Sequence, residues 1–288
     1  MADLEVVAAP TISRSTIERE WDILSPHRAE QIRQHKDLSF WSLMVPVITE
    51  LMSGADLRYV LDIGCGTGEL TQLMAAKCGR ILGIDLSGVA VSYAHSFLMA
   101  SRNASALHSA VEDLRAVEPN PIFSAAFANM VLMDIVDLGS GLRAISQSML
   151  GRGVFVFSIT HPVHWPVYRG YDKAAWYEYD REIIIRAPFK ITNQQLGVCS
   201  THVHRPISMY LNAFAEAGFG KVHLFEPVPP KTGDPNYDLA WTSPRYLFGA
   251  TTREKRPGTE LNARSLKKTW NVPGFGRHHF DAGQSGSA

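Results

Sequence analysis

The sequence predicts an α/β fold: one doubly wound, mostly parallel sheet with helices on both faces and an antiparallel pair of strands at its C-terminal edge. Three observations predict it. From residue 58 short apolar runs alternate with helical stretches, as a parallel sheet covered on both faces requires. The first run, RYVLDIG, breaks into a loop with Gly64, Gly66 and Gly68 spaced two apart. The second, RILGIDL, also stops on an aspartate, Asp85.

Taken in order, residues 1–14 read as a loose arm. Ser15 with Glu18 makes a capping box for a helix through Trp21 to Leu24, which Ser25-Pro26 stops. A second helix includes Phe40 and Trp41 and runs to Leu51-Met52. Residues 1–57 thus form a helical cap over the expected ligand site. Helices over about Glu69 to Lys77 and Val89 to Met99 follow the first two strands. ALHSAV is a third strand and SAAFANMVLM a fourth. A helix from Leu142 to Leu150 leads through Gly151-Arg152-Gly153 into a fifth strand, VFVFSI. Residues 161–206 interrupt the rhythm with an aromatic insert. A helix from Ile207 to Glu216 then precedes KVHLFEP and RYLFGAT, the expected edge pair, which closes a domain spanning 58–250. Residues 251–288 are basic and poor in aliphatics and read as a disordered tail.

The 288 residues are enough for one large α/β domain with appendages or two small ones. With 45% hydrophobic residues and 28 basic side chains against 28 acidic ones, nothing in the overall charge draws the chain to nucleic acid or anionic lipid. No apolar run reaches the length of a membrane span. Cys65, Cys78 and Cys199 are too few and scattered for a disulfide framework or a zinc site, which suits a cytoplasmic protein.

In an open parallel sheet ligands bind beyond the carboxyl ends of the strands. Glycine in the loop after Asp62 lets backbone press against such a ligand. Asp85, twenty-one positions after Gly64, is placed to accept from two ribose hydroxyls. The dinucleotide fingerprint G-x-G-x-x-G is not met, because its last position is Glu69, and a carboxylate there would repel a pyrophosphate.

These segments resemble class I S-adenosylmethionine-dependent methyltransferases, in particular a bacterial small-molecule branch. The motifs are LDIGCGTGEL, GIDLS, AVEDL, ANMVLMDIVD, GRGVFVFSITHP and HRPISMYLNAFAEAGF. The resemblance implies a Rossmann-like domain with S-adenosyl-L-methionine as cofactor. Gly64, Cys65, Gly66 and Gly68 would lie against its methionine part, with Asp62 near the amino group. Asp85 would take the ribose hydroxyls and Leu86 one face of the adenine. Val111, Glu112 and Asp113 would meet the adenine edge, or the two acids are a solvated turn. Asn129 and Met130 would sit near the methionine moiety. Where the family often has an aspartate, this chain has Ala110.

Methyl transfer from a sulfonium is an in-line displacement that needs alignment and a dry site, plus a base for an oxygen or nitrogen acceptor. Histidines cluster at His161, His164, His202 and His204; His161 and His204 are candidate bases, or structural loop histidines. Trp165, Tyr168, Tyr171, Trp176 and Tyr177 form a candidate aromatic lid for a small-molecule acceptor, or a surface for a homo-oligomer partner. Trp21, Phe40 and Trp41 close the cofactor from the other side, or pack as helix core. If the acceptor is an electron-rich alkene or isoprenoid carbon, aromatic faces would steady the cation and Glu178 or Asp134 would take the proton. A nicotinamide-linked oxidoreductase and a non-catalytic cofactor-binding protein are the alternatives of other classes.

Overall fold

The fold was analysed in a computed structural model that describes residues 5–254 except 121, 192–193, 240 and 242, together with 269–270 and 278–279. In chain order the elements are β1 (Val7–Ala8), α1 (Arg14–Arg33), a π-helical turn (Phe40–Met44), α2 (Val45–Met52), β2 (Tyr59–Ile63), α3 (Glu69–Ala75), β3 (Arg80–Asp85) and α4 (Gly88–Leu98). Then come β4 (Ala104–His108), a 3₁₀ turn (Val111–Asp113), α5 (Leu114–Val117), β5 (Phe123–Asn129), α6 (Leu138–Ser148) and β6 (Met149–Thr160). The C-terminal part holds α7 (His164–Arg169), β7 (Ile183–Ile191), β8 (Gln194–His204), α8 (Ile207–Glu216), β9 (His223–Phe225), α9 (Pro235–Leu239) and β10 (Tyr246–Thr252).

Seven strands form the main sheet in the order β4-β3-β2-β5-β6-β10-β9. The first five are mutually parallel, and β10 and β9 add antiparallel at the edge, as the sequence predicts. Side chains alternate across the sheet. Leu61, Ala126, Phe155 and Phe157 face one core with α6 and α8. Val60, Phe127, Val154, Val156 and Phe248 face another with α2 and α3. Strand order reverses at β2, whose neighbours are β3 and β5, so the crevice opens at the carboxyl ends of these strands.

Four expectations need correction. Val7–Ala8, placed in the loose arm, pairs antiparallel with β7. The first helix is capped by Ser13, which accepts from the Thr16 amide at 3.2 Å, and it continues through Pro26 to Arg33. Leu24, Ala29 and Ile32 are buried on both sides of the proline, so packing outweighs the one backbone bond it removes. The fourth strand ends at Asn129 because Met130 turns into the left-handed region at φ 62°. The insert is a third layer, since β7 and β8 pair as a long hairpin completed by β1. Of the tail, β10 takes residues 251–252, Arg253 bridges to Phe219, the Glu254 amide donates to the Gly218 carbonyl, and two short segments, Thr269–Trp270 and His278–His279, pair antiparallel; the rest of the expected disorder lies outside the described residues.

The N-terminal segment is fastened to both layers. Asp22 on α1 accepts from Ser87 Oγ at 2.6 Å and from the Val89 amide at 3.2 Å, placing a carboxylate at the N-terminus of α4. Glu20 accepts from the amide and hydroxyl of Thr201 on β8 at 2.6 and 2.9 Å.

Gly249 of β10 sits opposite Phe157 of β6, and a Cβ built on it would lie 2.2 Å from the phenyl ring. Gly249→Ala is therefore expected to lower unfolding free energy by about 1–3 kcal/mol through overpacking, measurable in urea titrations.

Candidate functional site

A cavity of about 320 Å³ runs along the carboxyl ends of the strands, within the size range of small-molecule sites. Its wall follows the strand order. Asp85 and Leu86 come from the end of β3, Asp62 and Gly64 from β2, Asn129 and Met130 from β5, Thr160 from β6, and Arg245 and Tyr246 from the start of β10. Ile17, Trp21, Ser25, Arg28 and Ile32, three or four residues apart on one face of α1, cover it, and the β7–β8 hairpin closes it with Phe189 and His202.

At the β2–β3 end the glycine loop is shaped by its own contacts. Gly64 has φ 66°, and a Cβ there would collide with Val131 at 2.2 Å. Gly66 has φ 53° and meets no atom within 4 Å at its Cβ position, so that position opens on the cavity it lines. Asp85 accepts from the Gly66 amide and the Ser87 amide, each at 2.8 Å. Burial raises its pKa against the pull of these two amides. Asp62 accepts from Thr71 Oγ1 at 2.6 Å; burial pushes its pKa up to about 7, with the Asp85 charge adding to the rise. The Cys65 thiol, on the same wall, is also pushed up by burial and by these acids.

Glu69 stands at the first position of α3, buried, held by Arg33 Nε at 2.7 Å and Thr67 Oγ1 at 2.6 Å. The helix N-terminus that would receive a pyrophosphate thus already carries a carboxylate. A phosphate-free nucleoside with a cationic amino-acid end fits the donors and acceptors present: Asp85 and Leu86 for its ribose and base, Asp62 and the open Gly66 for the rest.

Midway along the cavity lies Asp134, in the loop after β5. It accepts from Trp21 Nε1 at 3.0 Å, and burial pushes its pKa up to about 8. Arg205, almost fully buried and paired with Glu182 at 2.6 Å, donates to the Leu132, Ile135 and Val136 carbonyls and so fixes this loop. The β6–β10 end carries Trp165, Tyr168, Arg169, Tyr237 and Arg245. Here Arg28 pairs with Asp37 at 2.9 Å, and Arg245 lies over the rings of Tyr168 and Trp241.

Of the residues singled out by sequence, Asp62, Gly64, Cys65, Gly66, Asp85, Leu86, Val111, Glu112, Asn129, Met130, Trp165 and Tyr168 line this cavity, as do Trp21 and Phe40. Others do not. Gly68 faces helix α4, its Cβ position 3.2 Å from Ala94, and Asp113 is a surface group paired with Arg14 at 2.8 Å. Trp41 donates to the Ile32 carbonyl and stacks on His35, as helix packing.

The three candidate catalytic side chains are all displaced from the cavity. Thr160 faces it, so its strand neighbour His161 points away, with Nδ1 accepting from the Val163 amide and Nε2–H directed to Glu226 at 2.7 Å. His204 donates to the Tyr179 carbonyl at 3.0 Å against Tyr177. Glu178 is exposed and paired with Arg181 at 2.8 Å. Tyr171, Trp176 and Tyr177 pack on one another and on Ile185 inside the insert rather than on a ligand surface. The histidine that does reach the cavity is His202, whose pKa burial lowers to about 3. Arg28, Asp37, Arg169, Tyr237, Arg245 and Tyr246 were not visible as a group in sequence, and Arg28 lies beyond the point where the first helix was expected to stop.

Fold and loop together define a doubly wound domain with a cavity at its switch point. Residues 60–150 match the family model described as a methyltransferase domain. Curated relatives include a malonyl-acyl-carrier protein O-methyltransferase from Acetivibrio thermocellus, 32% identical over 101 residues (34% of this chain, 34% of that one). A ubiquinone biosynthesis O-methyltransferase from Nitrosomonas europaea is 28% identical over 116 residues, 40% of this chain and 49% of that one. The chain thus spans between a third and a half of the length of these relatives. A solved structure described as an S-adenosylmethionine dependent methyltransferase from Listeria monocytogenes superposes with a TM-score of 0.58 at 24% identity, covering 72% of this chain and 96% of that one. Over residues 60–150 the chain is thus similar to a methyltransferase domain, and the superposition shows that it shares the Rossmann-like fold of that structure. Among the described residues no helix is long and apolar enough to cross a membrane.

Two outcomes follow. Asp85→Ala removes the acceptor that shapes the loop and is expected to weaken S-adenosylhomocysteine binding by about tenfold or more, read by calorimetry. The folded protein keeps protons on Asp62 and Asp134 up to about pH 7 and pH 8, whereas an unfolded carboxyl loses its proton near 3.8. The folded state then binds more protons, so stability falls as pH rises. Below about pH 6.5 buried histidines with lowered pKa oppose this trend. The ligand-free melting temperature should therefore rise on going from about pH 8 to about pH 6.5, and less so in Asp134→Asn.

Proposed function

We propose that the protein transfers the methyl group of S-adenosylmethionine to an oxygen or nitrogen of a small molecule bound at the β6–β10 end of the cavity. The observation that carries this reading is a continuous cavity that joins the glycine loop to the aromatic wall past a half-buried carboxylate, Asp134. The names of the curated relatives, O-methyltransferases, support the same direction. The fold alone would not, since the cyclase SpnF shares it with a TM-score of 0.56 at 14% identity.

The bound cofactor supplies a methyl group already activated by a sulfonium. The chain's own residues do the rest. Asp85 and Leu86 hold the nucleoside end, and Asp62 with the glycine loop holds the amino-acid end. The α1 face and the β7–β8 hairpin exclude water. Asp134 takes the proton of the acceptor hydroxyl or amine as the new bond to carbon forms, and its raised pKa suits a group that both accepts and releases a proton near neutrality. Trp21 holds the carboxylate in place. Carbon methylation would use the same carboxylate; of the aromatic residues expected to steady a cation, Trp165 and Tyr168 line the cavity, whereas Tyr171, Trp176 and Tyr177 pack inside the insert. The same proposal carries a cytoplasmic setting, supported by three free cysteines.

With an acceptor in hand, kcat is expected to rise with pH as Asp134 ionises, along a limb that the bound sulfonium moves below the ligand-free value of about 8. Asp134→Asn keeps the acceptor oxygen for Trp21, and should lower kcat by about a hundredfold or more, erase that pH limb and leave S-adenosylhomocysteine affinity near wild type. Unchanged turnover in the variant would remove Asp134 from the mechanism.

A further inference from the structure

The acceptor end of the cavity has an excess of positive charge. Arg28 is matched by Asp37. Arg169 is not matched: among the described residues no carboxylate pairs with it, and its Nη2 donates only to the Pro188 carbonyl at 2.7 Å. Burial disfavours its charge and pulls its pKa down. A guanidinium held on a cavity wall at such a desolvation cost, with most of its donors unspent, is complementary to an anion that the protein itself does not provide.

A second, independent observation lies beside it. Two buried ring nitrogens on the same wall, Trp165 Nε1 and His202 Nε2, have no hydrogen-bond partner. Arg169 lies over the Trp165 ring, 5.8 Å from its centroid, and its charge is one of the causes that hold His202 neutral. The cluster therefore carries one positive charge and at least one orphaned donor, the indole N–H.

On the methyltransferase reading above, we infer that the acceptor is an organic acid whose carboxylate docks on Arg169 beside Trp165 and His202, with its apolar body against Tyr168 and Phe189. A carboxylate offers the planar, bidentate acceptor that a guanidinium prefers, and one negative charge matches one unpaired arginine. The aromatic wall requires an apolar or ring-bearing body. Arg169, Trp165 and His202 then set substrate specificity at a distance from the methyl-transfer point near Asp134.

The test uses the full chain and matched pairs of probes that differ only in charge: benzoate with benzamide, and indole acetate with indole acetamide. Binding is followed by calorimetry with and without saturating S-adenosylhomocysteine. At least one acid should bind about tenfold or more tightly than its amide. Arg169→Met should abolish that preference without changing S-adenosylhomocysteine affinity, and Arg169→Lys should restore part of it. Trp165→Phe keeps the packing, removes one donor and should weaken the acid more than the amide. Equal binding of acids and amides, no binding by any probe, or a preference that survives Arg169→Met would each overturn the inference. Failure of S-adenosylhomocysteine to bind would instead strike the methyltransferase reading, and the acid preference measured without it would still stand or fall on its own.

Discussion

The site depends on one carboxylate at the end of one strand. Asp85 closes β3 and receives the amides of Gly66 and Ser87, so it ties the loop after β2 to the helix after β3. Two βα units that share only a parallel ladder are thereby held in one geometry at their functional ends. The bond also explains why the loop is glycine at this point. Gly66 can turn its amide toward Asp85 only in the left-handed region, and a side chain there would project into the cavity. The same residue type therefore meets a conformational need and a ligand's need at once.

The loop also shows how one residue excludes a whole class of ligand. A helix N-terminus at a switch point attracts anions. In this chain Glu69 occupies it, neutralised by Arg33 and hydrogen-bonded by Thr67. The position is spent on fastening α1 to the sheet, and the nucleoside end is left to carboxylates. That trade links cofactor choice to the packing of the N-terminal helix, which is why α1 is part of the site rather than an appendage.

The legible part of the chain was the part in which neighbours in sequence are neighbours in space. The βαβ units and the glycine loop follow from local patterns and from the parallel sheet they imply, and Asp62 and Asp85 stand near the ends of β2 and β3 as that pattern requires. The illegible part was assembled from distant segments. Pro26 looked like a stop because the burial of Leu24 and Ile32 against other elements is not visible locally. The β7–β8 hairpin was hidden in an insert whose aromatic residues drew attention away from IIIRAPFK. His161 was misplaced by a single step of strand alternation, for the end of the fifth strand was located but not which of Thr160 and His161 faces the crevice. Arg169, on α7, and His202, within the second strand of a hairpin not foreseen, lie 33 positions apart in sequence.

The distribution of charge along the cavity gives these pieces a common logic. Asp85, Asp62, Glu112 and Asp134 line the stretch from β3 to the loop after β5, whereas Arg169 and Arg245 line the stretch from the insert to β10. Burial raises the pKa values of Asp62, Asp85 and Asp134, so each is costly to ionise while no cation is present. On the proposed function, the sulfonium and ammonium of the cofactor would offset that cost. One fold can host many chemistries because loops and inserts, rather than the sheet, build much of a site. In this chain the second half is made by α7, the hairpin and the start of β10, three segments that meet only when the sheet is complete. The glycine-loop end of the cavity is thus a property of local sequence, while its opposite end is a property of the finished fold.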